Sequence, residues 1–424
     1  MTAEVRITGI AAGGAGVGRL PDGRAIFVHR TAPGEAVRVA VTGGKRRWAT
    51  GRLLRVLEPS PARRKAPCPH YDHCGGCTLE HMVYDAQLEA KASIVSEALA
   101  RIGGTPIDAP VVVPSPREFQ YRNRVSFTFI RTARGPVAGF HDIDRPDRVV
   151  DISAACLLPE PAIAEAWGQL REAWGDDASN LPSGERLRLT LRASASGDVG
   201  LVINGGYSHG RPERLLEAVP RLTAIWHRRA DRDRFEAIAG SERFGEEWQE
   251  EEIGLSGTVF LQVNRALAEV LEAYVIERAT AGVSVQTVVD AYCGIGLHAR
   301  RLARLGLQVV GIELDEAAVD EARRAAPENT TFVAGRVEER LPEFLPADLV
   351  IANPPRAGLD AAAAEALAKT PPKRILYVSC DPATLARDIR RLEATHRLTS
   401  VRCFDLFPQT SHVETVAELE CVTS

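Results

Sequence analysis

The 424-residue chain has no run of about eighteen uninterrupted apolar residues, the length that a membrane-spanning helix needs. Its start, MTAEVRITGIAAGG, lacks a basic segment followed by an apolar one, so no secretory leader is expected and the chain is placed in the cytoplasm. Cysteine is scarce: eight residues are too few for a disulfide scaffold. In a reducing compartment such cysteines point to metal binding or catalysis wherever they cluster. Strong overall charge is missing too, the formal net value being −4. What is left, 45% hydrophobic and 25% charged residues, is ordinary globular usage over a length that suits about three domains.

The small net charge hides an uneven distribution. Residues 1–65 hold thirteen Lys and Arg against four Asp and Glu, a net +9, which leaves 39 basic and 52 acidic groups, a net −13, for the rest. A basic head on an acidic body suggests that the head meets a polyanion, an ordinary solvated surface being the plainer reading. The head itself is a series of short β-branched runs separated by glycine: VRITGI, AIFVHR, AVRVAVTG and ATGRLLRVL. That spacing predicts a small β-barrel over residues 1–57. Arg46, Arg47 and Trp48 suit a groove for nucleic acid, and Trp48 equally suits the barrel core.

After the linker EPSPARRKAP, Cys68, Cys74 and Cys77 form a Cys-x5-Cys-x2-Cys pattern in which Gly75 and Gly76 let the backbone curl around whatever the thiolates hold. Three thiolates need a fourth ligand. Cys156 is the next cysteine, while His70, His73 and His81 keep a zinc site open. An all-thiolate set accepts zinc or an iron–sulfur cluster. Alternation in FQYRNRVSFTFI, GPVAGFHD, DRVVDIS, RLRLTLRAS and DVGLVINGG predicts the strands of a central α+β domain over residues 58–254. Arg122 and Arg124 flank Asn123 in a pattern suited to phosphate and base-edge contacts, although solvated strand residues look much the same.

From Leu255 the character changes. FLQVNRALAEVLEAYVIERATA carries apolar residues at helical spacing and leads into a β-branched strand, a Gly-x-Gly turn (Gly294, Gly296), a helix and a second strand closing on Glu313. This is one nucleotide-binding βαβ unit. The third glycine of a dinucleotide fingerprint is missing, which suits S-adenosylmethionine better, although Ala299 at that place could substitute for it; Glu313 is placed to accept from two ribose hydroxyls. ADLVIANPPRAGLD gives another strand ending at Asn353. In ILYVSCDPATLARDI a strand ends at Ser379, and the turn before the next helix presents Cys380, either a small buried filler or a nucleophile. The last segment reads as two strands around a turn carrying His412 and Glu414. The loops after Asp290, Ile351, Ser379 and Phe407 are thus expected at one edge of one sheet.

The motifs YRNRV, FLQVN, DAYCGIG, NPPR, SCDP and FPQTSHVE, in this order, together with the cysteine spacing and the head sequence GAGVGRLPDGRAIFVHRTAPGEAVRVAVT, resemble the RNA uracil-5-methyltransferase family that forms 5-methyluridine. The resemblance is to the branch with a TRAM domain and a four-cysteine iron–sulfur cluster. It spans nearly the whole chain and is weakest over residues 160–250. It implies a multidomain α/β architecture: an oligonucleotide-fold-like TRAM barrel (1–57) that binds RNA, a central α+β domain with the iron–sulfur site (58–254), and a Rossmann-like S-adenosylmethionine-dependent methyltransferase domain (255–424). The same resemblance implies Cys380 as nucleophile and Glu414 as the base. It puts a [4Fe-4S] cluster on Cys68, Cys74, Cys77 and Cys156, and cofactor contacts on Gln262, Tyr292, Gly294, Gly296, Glu313 and Asn353. The family usually has Asp where this chain has Asn353, so amide hydrogen bonding is retained there and a carboxylate contact is not.

Uracil chemistry supports the assignment independently. Carbon 5 of the ring is a poor nucleophile until a thiolate adds at carbon 6, and the proton on carbon 5 must later leave to a base. Arg356 is expected to stabilise the developing enolate oxygen. The expected activity is methyl transfer to carbon 5 of a uridine in 23S rRNA through a covalent Cys380 adduct, with a tRNA uridine as the alternative. The protein is expected to act as a monomer without a membrane partner. An iron–sulfur oxidoreductase has no use for a thiol and a carboxylate together at the sheet edge, and the intact pair argues against a non-catalytic RNA-binding protein.

Overall fold

The computed structural model describes residues 1–248, 251–255, 259, 261–282 and 285–422, with side chains left aside at 246–248 and 251–255. Phe260 of the FLQVN motif, and Gln249 and Glu250 of the acidic run, lie outside the described residues. The chain forms two compact units, one made of Met1–Ala86, Arg117–Arg265 and Pro408–Thr410, the other of Gln87–Pro116, Ala266–Phe407 and Ser411–Ser424.

In the first unit, strands Thr2–Ile10, Gly16–Arg19, Ala25–Val28, Ala36–Gly44 and Trp48–Glu58 close into a barrel. Alternation explains it: Val5, Ile7, Ile26, Val28, Val37 and Val39 point inward and are buried. A Cβ at Gly18 would lie 2.8 Å from the Arg6 carbonyl oxygen, so glycine lets the first two strands approach. At the tip between the last two strands Lys45, Arg46 and Arg47 are exposed, and Trp48 is 37% exposed with its ring edge-on to Phe27 at 6.4 Å. The core alternative for Trp48 is therefore not what the fold uses.

The same unit contains a seven-stranded sheet in the order Glu236–Gly240, Leu222–Arg228, Val199–Asn204, Arg186–Ala193, Arg124–Thr132, Gly135–His141, Val149–Asp151. Strand Arg124–Thr132 sends Val125, Phe127 and Phe129 to one face, where they meet Leu187, Leu189 and Leu191. Helix Pro161–Ala173, with proline in its first turn, covers that face; Trp167 stacks on Phe127 at 4.1 Å. Each such buried aromatic contributes about 2–3 kcal/mol of hydrophobic stabilisation.

The second unit is an eight-stranded sheet in the order Thr330–Ala334, Gln308–Glu313, Thr287–Ala291, Leu349–Ala352, Arg374–Ser379, Glu414–Cys421, His396–Phe404, Val112–Val113. The first five strands are parallel, and Glu414–Cys421 runs antiparallel to both its neighbours. Leu349–Ala352 and Arg374–Ser379 are buried along their whole length, as parallel strands covered on both faces must be. Strand order reverses between Thr287–Ala291 and Leu349–Ala352, which leaves a crevice at the carboxyl ends of the parallel strands.

Residues 87–116, assigned by sequence to the central domain, belong instead to this second unit. Val95 and Leu99 enter its core, Val112–Val113 pairs with the edge strand, and the buried Lys91 amine forms an ion pair with Asp405 and donates to the Phe407 carbonyl at 3.1 Å. A helix goes with whichever sheet its apolar stripe covers, and chain order does not record that choice. Among the described residues no helix is long and apolar enough to cross a membrane.

Candidate active site

The nucleotide turn starts where strand Thr287–Ala291 ends. Tyr292, Gly294 and Gly296 take positive φ values of 64°, 56° and 73°. The first is unusual for a residue with a side chain; at Gly296 a Cβ would overlap the Phe332 ring. Glu313 closes the neighbouring strand and accepts from the backbone N–H groups of Gly294 at 3.0 Å, Leu314 at 2.7 Å and Asp315 at 2.9 Å. Its carboxylate is thereby fixed against the turn. Asn353 donates its backbone N–H to the Ala291 carbonyl at 3.2 Å, so the NPPR loop leaves the sheet beside the same turn. Burial and the nearby carboxylates of Glu338, Asp360 and Asp388 push the Tyr292 hydroxyl up to about 12.

Asp290, read from sequence only as part of the motif, is the notable addition. It is fully buried, its Oδ2 accepts from the Ala299 N–H at 3.2 Å, and among the described residues its Oδ1 has no hydrogen-bond partner. Burial, with Glu313 and Glu272 nearby, raises its pKa to about 7. A buried carboxylate oxygen left without a donor is costly, and it fits a ligand that brings a cationic donor, such as the ammonium of an amino-acid moiety. Gln262 falls in the first unit, where its carbonyl accepts from the Asn123 side chain at 3.1 Å.

The thiol and the carboxylate meet through sheet register. Ser379 is paired with Thr415, so Cys380 and Glu414, one residue beyond each, leave the two antiparallel strands at the same end. Asp381 caps the helix that follows, accepting from the backbone N–H groups of Ala383 and Thr384 at 3.0 and 2.9 Å, and Pro382 opens its first turn. The Asp-Pro pair thus stops the strand and leaves Cys380 partly exposed on the turn. Burial raises the Cys380 thiol above its ordinary value, the Glu414 charge raises it further, and the Arg356 guanidinium, within hydrogen-bonding reach, pulls it down. Glu414 is only 2% exposed. Its burial pushes the carboxyl up to about 8, against the opposing pull of Arg356. Arg356 is therefore the shared counter-charge of both groups, and near neutral pH the free site holds a thiol beside a largely protonated carboxyl.

Cys74, Cys77 and Cys156 are buried in the first unit's core, and the partly buried Cys68 packs against that core. Burial raises all four thiols, and mutual repulsion between their charged forms adds to the rise at Cys74, Cys77 and Cys156. The Gly76 N–H donates to the Cys74 sulfur at 3.3 Å. Four gathered thiols that resist ionisation on their own suit a cationic centre that would stabilise the thiolates. Even so, among the described residues no three His, Cys, Asp or Glu side chains converge as ligands of a metal ion do. The expected ligand set is gathered but not assembled around one point. His412 is set edge-on against Phe407 at 5.9 Å, and Cys403 is core.

Known proteins show what this arrangement resembles. Residues 336–421 match the tRNA (uracil-5-)-methyltransferase family model, residues 1–54 the TRAM domain, and residues 288–372 a methyltransferase domain. An uncharacterised RNA methyltransferase of Gloeobacter violaceus is 38% identical over 99% of this chain and 96% of its own. Another, from Nostoc, is 34% identical over 98% of this chain and 95% of its own. The crystal structure of the Pyrococcus abyssi tRNA (uracil-54, C5)-methyltransferase with S-adenosyl-L-homocysteine superposes with a TM-score of 0.76 at 27% identity, covering 99% of both chains.

Proposed function

Since the chain belongs to the S-adenosylmethionine-dependent RNA uracil-5-methyltransferase family with a TRAM domain, we propose that Cys380, Glu414 and Arg356 methylate carbon 5 of a uridine through a covalent adduct. The observation that carries this reading is the meeting of thiol, carboxyl and guanidinium at one end of the sheet whose neighbouring strand ends form the nucleotide turn. S-adenosylmethionine, when bound, supplies the methyl group. Gly294, Gly296, Tyr292 and Asn353 shape its cradle, Glu313 accepts from the ribose, and Asp290 Oδ1 accepts from the ammonium. Gln262 is proposed as a further contact on the resemblance alone.

In the reaction the Cys380 thiol first gives up its proton to solvent and Glu414 is in its ionised form beside Arg356; the thiolate then forms a bond to carbon 6, and the electrons of the ring double bond move onto the carbonyl at carbon 4. Arg356 stabilises that enolate and, before it, the thiolate. The enolate electrons return to carbon 5, which takes the methyl carbon as its bond to the sulfonium sulfur breaks and S-adenosylhomocysteine is left. Glu414 removes the carbon-5 proton, the double bond re-forms, and the Cys380 thiolate leaves. Transfer of label from S-adenosylmethionine to RNA, with the product digested to nucleosides, tests this: 5-methyluridine is expected, and label on another atom or base rejects the reading.

The favoured substrate is a uridine of 23S rRNA, on the resemblance alone. A tRNA uridine is the second reading, favoured by the superposition on the Pyrococcus abyssi tRNA enzyme. Mapping 5-methyluridine in both RNA pools from cells lacking the protein separates them. The exposed tip Lys45–Arg46–Arg47 is proposed to neutralise phosphates. Changing all three to alanine should flatten the dependence of log affinity on log salt by about two to three units. An unchanged slope would show that the tip faces solvent in the complex.

We also propose that Cys68, Cys74, Cys77 and Cys156 hold a [4Fe-4S] cluster, supported by three buried thiols in one core and the partly buried Cys68 packed against it. Protein purified without oxygen should be brown and contain iron and sulfide in about equal amounts; a colourless protein with one zinc per chain rejects the cluster. Methyl transfer moves no electron, so loss of the cluster should weaken folding or RNA binding first.

A further inference from the structure

Asp388 lies in helix Pro382–Leu392 and is wholly buried. The reaction outlined above gives it no part. Its Oδ2 accepts from the Tyr377 hydroxyl at 2.7 Å and from the Leu359 backbone N–H at 2.8 Å. Its Oδ1 accepts from Arg387 Nε at 2.9 Å and Arg391 at 3.1 Å. These two arginines continue outward: Arg387 reaches the Ala357 carbonyl at 2.7 Å and Arg391 the Leu359 carbonyl at 3.1 Å. A Cβ at Gly358, whose φ is 77°, would overlap Asp388 Oδ2, so glycine is what allows the loop to pass this close.

The three things tied together are not arbitrary. Tyr377 belongs to the strand that ends at Ser379, just before Cys380; Asp388 belongs to the helix that begins just after it. Residues 357–359 are the descending side of the loop that carries Arg356. A single buried carboxylate with four donors thus fastens the guanidinium loop to both elements that flank the thiol. Breaking such a buried network costs far more than its net worth, because the donors are left unsatisfied.

We propose that Asp388 is a positioning residue, which sets the distance between the Arg356 guanidinium and the Cys380 thiol and thereby makes the thiol's acidity depend on a group that touches neither. The inference rests on Cys380 as the nucleophile for its relevance to catalysis, but its test does not. Arg356 opposes both burial and the Glu414 charge at Cys380, so moving the guanidinium away should raise the pH at which the thiol ionises.

The test is the pH dependence of Cys380 alkylation by iodoacetamide in the full-length protein, read at the Cys380 peptide by mass spectrometry. Arg356→Ala sets the scale, with an expected upward shift of about one pH unit. Asp388→Asn should shift the midpoint upward by roughly half of that or more. The double variant should show no further shift beyond Arg356→Ala. Arg387→Ala, at a side chain 37% exposed, cuts the tie to the Ala357 carbonyl and removes one of the four donors to Asp388, which keeps Arg391, Tyr377 and the Leu359 N–H; it should shift the midpoint in the same direction by less. A wild-type midpoint in Asp388→Asn overturns the proposal. If Asp388→Asn fails to fold, a wild-type midpoint in Arg387→Ala does so. Because no RNA or methyl donor is present, either result stands apart from the fate of the methyltransferase reading.

Discussion

Cys380→Ala should abolish both methylation and the covalent RNA adduct, with turnover falling by about 10⁴-fold or more, the scale seen when a nucleophile is removed from a covalent mechanism. The loss follows from the uracil ring: without addition at carbon 6, carbon 5 carries too little electron density to take a methyl group. Binding should survive, because the side chain is small and partly exposed on a turn whose shape is set by Asp381 and Pro382. Cofactor affinity measured by calorimetry and RNA affinity measured by filter binding are expected within a few-fold of the parent. Residual 5-methyluridine formation at more than about a hundredth of the parental rate would show that another group adds to the ring. Cys293 is a poor substitute: burial holds its thiol well above the ordinary range, and its sulfur faces the Gly294 carbonyl at 3.7 Å in the nucleotide turn.

How much of this was legible before the structure differs from element to element. The strand Arg374–Ser379, its abrupt end and the capped helix after it were written locally, in a β-branched run followed by Asp-Pro and helical spacing, and so was the exposure of Cys380. The Gly-x-Gly turn was equally local. The pairing of Ser379 with Thr415 was not, because register between strands 36 residues apart depends on which face of each strand is buried. Two buried ionic centres also escaped notice. Lys91 with Asp405, and Asp388 with Arg387 and Arg391, join residues whose charges look like solvated helix surface in sequence. The available signal at Asp388 was its place between Leu385 and Leu392 on the apolar face, next to Ile389, where a carboxylate needs partners. The orphan oxygen of Asp290 carries no sequence signal beyond its position before the glycines. The metal pattern shows the converse: spacing named four cysteines that share a core, yet spacing alone does not assemble them as ligands.

Glu414→Gln should separate the two halves of the reaction. The amide keeps the size of the side chain but cannot take the carbon-5 proton near neutral pH, so addition and methyl transfer should proceed and elimination should not. Denaturing gels with labelled methyl donor should show a protein–RNA band for Glu414→Gln, accumulating to about one adduct per enzyme, and none for Cys380→Ala. Stability distinguishes this chemical effect from unfolding. The folded Glu414 carboxyl titrates near 8, well above an ordinary glutamate near 4.3, so the folded protein holds this proton more tightly than the unfolded chain does. The contribution to stability is therefore fully present below pH ~4.3 and is lost as pH rises through 8. Glutamine is never ionised, so the variant should be more stable than the parent by a few kcal/mol at pH 8 to 9, with the gap closing toward pH 4 in urea titrations. A stalled adduct on a protein that is more stable than its parent leaves proton abstraction as the step that failed. Release of free methylated RNA at close to the parental rate would instead assign the proton to His412 or to water.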